Sequence, residues 1–229
     1  MACADIKIQK LHKPEKVQED FVIVIDVLRA FTTAAYAFSR GAEKIILVST
    51  IEEAFDLKKK NPEYLLMGEV KGKHIPGFDF CNSPEKISKE NLTGRTLVQR
   101  TSAGTQGVIR SIKSKKILTS SFVVANATLQ RIQFLNPNSI TFVITEGDED
   151  LALADYLEEL LIKNKTDASP YLQRVINSKA GQVFANQIDS FIKEDLDASI
   201  KVDMFPFAME IFMENNLPTM RSISNGGEL

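Results

Sequence analysis

The chain alternates between short, continuous apolar runs and longer segments whose apolar residues recur at helical spacing. "FVIVIDV" (21–27) is β-branched and apolar throughout, the pattern of a strand buried on both faces of a parallel sheet. "TTAAYAFSRG" (32–41) predicts a helix that stops at Gly41, a C′ position. "KIILVS" (44–49) is a second strand. Thr50 opens the next helix with Glu53 three residues on, a capping-box signature. "YLLMG" (64–68), "TLVQ" (96–99), "KILTS" (116–120) and "ITFVIT" (140–145) are further strands, with helices from about Thr105 and over "FVVANATLQRI". In "DLALADYLEELL", Leu153, Ala154, Leu157, Leu160 and Leu161 share one helical face. Residues 170–216 read as mostly helical with a break near Pro206, and "RSISNGGEL" as a short strand with a loose end. Alternation of this kind predicts an α/β fold with a mostly parallel sheet flanked by helices and a helical C-terminal third.

One stretch departs from the alternation. Residues 68–95, including "GKHIPGFDFCNSPEK", are rich in Gly, Pro, Asn and Ser and too long for a plain connection. They predict a functional loop or a crossing between lobes.

Composition narrows the chemistry more than the fold. With 229 residues, 44% hydrophobic and 25% charged, the chain suits one large domain or two small lobes. A net charge of −2 argues against a general nucleic-acid binder. No apolar stretch is long enough to span a bilayer, and the N-terminus lacks an apolar signal core. Cys3 and Cys81 do not suggest a disulfide framework, so a reducing, cytoplasmic setting is expected. Two histidines, His12 and His74, leave little room for His-rich zinc sites or Ser-His-Asp triads. Carboxylates, hydroxyls and arginines must carry any hydrolytic chemistry.

Those groups gather at predicted strand ends, where open α/β sheets collect ligands. They are Asp26 with Arg29, Gly68 with Glu69, the small-residue run Thr101 to Thr105, and "TEGDED" (145–150). Each has a bland alternative. Asp26 could cap a helix, Arg29 could form a surface ion pair, and "TSAGT" could be a tight turn. "IPGFDFCNSP" could be turn chemistry, and Glu149 and Asp150 could complement a helix dipole. Their coincidence favours an anion site. Carboxylates around a phosphate need a cation between them, and Mg²⁺ prefers oxygen ligands. Several templates are absent: there is no P-loop and no GxGxxG after the first strand, and Ile87 stands where a cysteine-phosphatase loop needs Arg. The Asp26 strand is similar to that of haloacid-dehalogenase-type phosphatases, but Leu28 stands where they need a second Asp.

Taken together the motifs resemble the 2-phosphosulfolactate phosphatase family. "DVLRAFTT" (26–33) matches its DVLRATS-like block, Gly68-Glu69 its GE pair, and "GFDFCNSP" (77–84) its most specific block. "TSAGT" (101–105) matches a TTNGT block less well, Glu149 and Asp150 an acidic pair, and "NGGEL" the chain ending. The resemblance implies a two-lobed fold, here divided as 1–90 and 91–229, with the site in the cleft between the lobes. It also implies Mg²⁺-assisted hydrolysis of a small anionic phosphoester, linked to coenzyme M synthesis. On that reading Asp26, Arg29, Glu69 and Asp79 are catalytic, with Arg29 as phosphate clamp. Asp26, Glu69 and Asp150 hold metal, and Asn82, Ser83, Thr101, Ser102, Gly104 and Thr105 bind substrate. Ala103, where the family has Asn, and Arg100, where it has a small or apolar residue, predict weaker preference for sulfonate over carboxylate. The alternatives are a haloacid-dehalogenase-like enzyme with Asp26 as nucleophile and a non-catalytic protein that binds phosphorylated acids. The sequence does not fix the oligomeric state, and a homodimer is compatible with this size.

Overall fold

The computed structural model describes residues 6–189 and 191–224. In chain order the strands and helices are β1 (Lys7–His12), β2 (Phe21–Ile25), α1 (Ala30–Ser39), β3 (Lys44–Leu47), α2 (Ile51–Lys60), β4 (Leu65–Val70), β5 (Lys73–His74), β6 (Phe80–Cys81) and α3 (Pro84–Ile87). They continue as β7 (Thr96–Arg100), α4 (Gly104–Ser111), β8 (Lys116–Ser120), α5 (Ala125–Leu135), β9 (Ser139–Ile144) and α6 (Asp148–Lys163). Last come α7 (Ser169–Asn177), α8 (Lys179–Ala185), α9 (Lys193–Ser199), β10 (Phe207–Glu214) and β11 (Leu217–Ser224). Cys3 and the "NGGEL" ending lie outside the described residues. Cys81 is a free thiol.

The sheet runs β1-β9-β2-β8-β10-β11-β3-β7-β4-β5, with β6 also on β4. Two parallel groups are visible: β1, β9, β2 and β8 on one side, and β3, β7, β4 and β6 on the other. Between them lies the antiparallel pair β10–β11, bonded outward to β8 and to β3. The sheet is therefore mixed rather than mostly parallel, and the end of the C-terminal third is strand where helix was expected. "FAMEIFME" carries Ala, Met and Glu, good helix formers, but tertiary pairing overrides that preference. The signal that names the hairpin is Asn215-Asn216. Glu214 pairs with Leu217, and the two asparagines between them have φ of 51° and 63°, a two-residue turn of the type Asn favours. The sheet interleaves the two sequence segments on either side of residue 90, since each parallel group draws strands from both.

Local signals explain the elements that frame the site. Thr50 forms the expected capping box with Glu53. Helix α1 ends with Gly41 N–H on the Phe38 carbonyl and Ala42 N–H on that of Ala37, and Gly41 at φ 93° supplies the left-handed residue this stop needs. Along β2, Val22 and Val24 join one core, against α1 and α4. Ile23 and Ile25 join the other, against α5 and α6. A strand covered on both faces has no polar side, which accounts for its unbroken apolar run. The edge strand β1, with only partly buried side chains, has no such run to announce it.

Two crossover helices link the parallel groups. Helix α1 carries the chain from β2 to β3, and α4 carries it from β7 to β8. Both pass over the hairpin, so the ends of β2 and β7 meet near the place where the sheet changes hands. In α/β sheets such switch points form ligand crevices.

Candidate active site

Asp26 follows the last residue of β2 and is 4 % exposed. Its Oδ1 accepts the Ala30 N–H at 2.8 Å, fixing the start of α1. Its Oδ2 faces the start of α4: a Cβ placed on Gly104 would lie 2.7 Å from it and 2.7 Å from the Ala30 Cβ. The small residues of "TSAGT" thus let a helix N-terminus butt against a carboxylate. The residue before α4, Ala103, has no capping side chain, unlike those before α2 and α3. Only the Thr105 N–H of the first turn is taken by a side chain, that of Thr101. The partial positive end of α4 is directed at this corner.

The hydroxyls of that stretch bind one another more than they face outward. Thr105 Oγ accepts the Thr101 N–H at 2.9 Å, and Thr101 Oγ accepts the Thr105 N–H at 3.0 Å. Ser102 donates its N–H to Glu69 Oε1 at 2.5 Å and its hydroxyl to Oε2 at 3.2 Å. Glu69 Oε2 also accepts the Gly72 N–H at 2.5 Å, so one carboxylate joins the loops after β4 and β7. Gly68 is required just before it. A Cβ there would sit 1.9 Å from the Arg100 carbonyl oxygen, and its φ is 155°. Arg100 directs its guanidinium to the carbonyls of Glu69 and Ser49.

From β9 comes the third acidic element. Asp150 accepts the Val27 N–H at 2.8 Å on Oδ1, and the Glu146 N–H at 2.9 Å and the Thr145 hydroxyl at 3.0 Å on Oδ2. It buttresses the turn after Asp26. Glu149, also buried, accepts the Gly147 N–H. These acids shift one another. Burial, then the charges of Glu69, Glu149 and Glu146, push Asp26 up to about 7, although the Ala30 N–H pulls the other way. Burial, then Asp26 and Glu149, push Asp150 well above the usual carboxylate range.

The remaining expected residues divide. Asn82 is 3 % exposed, and its Oδ1 has no partner among the described residues. The register Gly68↔Cys81 carries it to the same level as Glu69. Ser83 caps α3 through the Lys86 N–H and donates its hydroxyl to Asp195 at 2.6 Å. Arg29 is buried, with Nη1 on Asp195 at 2.6 Å and Nη2 on the Gly72 carbonyl at 3.3 Å. Asp79 is not brought to the cluster. Its carboxylate accepts the Leu66 N–H and the Lys58 ammonium, each at 2.7 Å, near the start of β4.

Sequence reasoning missed Asp195 entirely. In "KEDLDAS" it reads as an acid in a first helical turn, and only the fold reveals that it is fully buried against Arg29.

Among the described residues no three His, Cys, Asp or Glu side chains form a group that could hold a metal ion unaided. The donor set is nonetheless oxygen throughout, and it includes Asp26 Oδ2 and the buried Asn82 Oδ1, neither of which has a hydrogen-bond donor among the described residues. That fits Mg²⁺, which keeps several waters and uses one or two carboxylates.

Comparison with known proteins agrees with the motifs. A protein of Bacillus subtilis (strain 168) named "Probable 2-phosphosulfolactate phosphatase" is 34% identical over 224 residues, covering 95% of this chain and 98% of that one. Proteins of the same name from Carboxydothermus hydrogenoformans and Thermotoga petrophila are 38% and 36% identical, covering 70% and 69% of this chain and 69% and 71% of theirs. The sequence model of the 2-phosphosulpholactate phosphatase family matches residues 6–211. With nearly the whole chain matched, and with the ends of β2, β4, β7 and β9 carrying the family's motifs, the chain belongs to the 2-phosphosulpholactate phosphatase family.

Proposed function

We propose that this chain is an Mg²⁺-dependent phosphatase that hydrolyses the phosphate monoester of a small sulfonated or carboxylated hydroxy acid, 2-phosphosulfolactate first among them. The observation that carries the reading is the buried acidic corner. Asp26, Glu69, Glu149 and Asp150 are all buried, and the nearby cation Arg29 is already paired with Asp195. A dianionic phosphate enters such a corner only with added positive charge. Asp26 would hold the ion, with Glu69 and Asp150 close behind. Bound there, Mg²⁺ would polarise the phosphoryl oxygens and offset charge as it develops.

The chain's own groups have distinct tasks on this reading. Arg29 keeps guanidinium donors beyond the two in use and would take phosphoryl oxygens in its fork. The start of α4, where Thr101 holds only the Thr105 N–H, would supply its other backbone N–H groups to the same anion. Asn82 Oδ1, buried without a donor, would accept from a bound water or a substrate hydroxyl. Glu69 and Ser102 would hold the two loops in register, and the threonine pair would keep the α4 turn tight.

Phosphate release from 2-phosphosulfolactate, 2-phosphoglycerate, phospholactate and p-nitrophenyl phosphate, with and without Mg²⁺, tests the reading. Hydrolysis of at least one phospho-acid should require Mg²⁺ and vanish in EDTA. Full turnover by metal-free enzyme would remove the metal from the proposal. Tight binding of the acids without turnover would favour the non-catalytic alternative.

A further inference from the structure

Arg29 and Asp195 form a buried ion pair 166 residues apart in sequence. Arg29 is 6 % exposed and Asp195 fully buried. Taking both charges from water is costly, and an apolar pair of similar size is often as stable. The pair is also unevenly built. Both oxygens of Asp195 are engaged: Oδ2 takes Arg29 Nη1 at 2.6 Å, and Oδ1 takes the Ser83 hydroxyl at 2.6 Å and the Glu85 N–H at 3.2 Å. The donors of Arg29 are not all engaged. Beyond Asp195 and the Gly72 carbonyl, its other N–H donors have no acceptor among the described residues. The rings of Phe184 and Phe191 lie 4.9 and 5.2 Å from its guanidinium carbon, restricting how the plane can turn.

We propose that Asp195 is a positioning residue for the phosphate site. Acting with the Phe184 and Phe191 walls, it holds the Arg29 guanidinium in one orientation, and through Ser83 it ties the Asn82-Ser83 block to that same guanidinium. Its charge is spent on the clamp rather than on substrate. The C-terminal helical segment thus contributes to an anion site whose motifs all lie earlier in the chain. This inference rests on the reading of Arg29 as the phosphate clamp.

The test is a double-mutant cycle on the full chain with Mg²⁺, reading kcat/KM and the inhibition constant of inorganic phosphate. Arg29→Ala, Asp195→Asn and the double variant are compared. Asparagine offers a single acceptor oxygen, so it cannot hold both Arg29 and the Ser83-Glu85 pair. Asp195→Asn should lower kcat/KM and weaken phosphate inhibition by roughly ten- to a hundredfold, the usual cost of losing a group that orients a ligand-binding side chain. In the Arg29→Ala background the same change should have little further effect, because there is no guanidinium left to orient. Penalties that multiply in the double variant, or unchanged phosphate inhibition in Asp195→Asn, would overturn the proposal. If Asp195→Asn does not fold, Asp195→Glu keeps charge and both acceptors at a longer reach. It should then fold and show the phosphate-inhibition defect, and a wild-type constant there would equally overturn the inference. Wild-type activity in Arg29→Ala would refute the clamp reading itself, whereas activity loss there with an unaffected Asp195→Asn would refute the positioning role alone.

Discussion

Asp26 is held at one oxygen by the Ala30 N–H and faces the α4 start with the other, while Glu69, Glu149 and Glu146 surround it with like charge. Its carboxyl rises from an ordinary 3.8 to about 7, mainly through burial. The folded, metal-free protein therefore binds this proton more tightly than the unfolded chain does. As far as this group is concerned, stability is full below pH 3.8, is lost as pH rises toward 7, and stays lost above it. Asp26→Asn removes the penalty and keeps an acceptor for Ala30. At pH 8 it should stabilise the metal-free protein by on the order of 1–3 kcal/mol, an advantage that fades toward pH 5, as thermal melts across that range would record. The same variant should lose at least roughly a hundredfold in turnover with Mg²⁺, typical of a lost transition-state contact. A destabilised Asp26→Asn variant at pH 8 would mean that Asp26 is held by favourable contacts instead of tolerated for function. At this scale the residues that gather in the acidic corner were legible in the sequence. Asp26, Glu69, Ser102, Gly104 and Asp150 were visible as polar or small residues at strand ends, where a core has no use for them. Asp195 was not, because its meaning comes from Arg29, 166 residues away.

At the scale of elements, α4 sets how closely two strand ends approach. Gly104 touches Asp26 and Ala30, and a Cβ on Gly107 would lie 2.7 Å from Val24 and 2.8 Å from Thr145. The helix can lie against the end of β2 only because both positions lack a side chain. Gly104→Ala should push α4 away from Asp26, destabilising the protein by about 1–3 kcal/mol as overpacking does, and activity should fall further than stability alone explains. Denaturant titration beside kcat/KM measured in the folded range separates the two effects. A variant with normal turnover would show that the α4 start plays no part in catalysis. Elements buried on both faces, such as β2 and β9, were readable because unbroken apolar runs have few other uses. β1 was not, since an edge strand buries too little to force a pattern. β10 was not either, because its helix-forming residues are overruled by neighbours on both sides.

At the scale of the whole molecule, the β10–β11 hairpin joins two parallel groups that each carry part of the site. Asp26 and Asp150 belong to the group of β2 and β9, and Glu69 and Ser102 to that of β4 and β7. Beyond its ladder and its core packing, the hairpin is fastened by Lys44 of β3 on Glu214 and by Glu210, fully buried in β10. It pairs with Lys116 of β8 at 2.5 Å and with Arg131 of α5 at 2.7 Å. These partners come from the β2 side, so Glu210 anchors the hairpin to that group, while the Thr219↔Ile46 and Met220↔Ile45 pairs join it to the other. Glu210→Ala leaves two cations without their acid and a gap beside β8. It should cost on the order of 3 kcal/mol, the scale of breaking a buried ion pair, and lower the melting temperature accordingly. Because Glu210 is not among the site residues, kcat/KM well below the melting transition should stay within about twofold of wild type, the ordinary range for a residue that contacts no ligand. Heat inactivation should follow the structural transition, since the two groups hold the acidic corner together only while the hairpin spans them. A Glu210→Ala protein that melts normally would show that the halves stay joined without Glu210. One that melts early yet loses activity only at higher temperature would show that the corner survives without a continuous sheet.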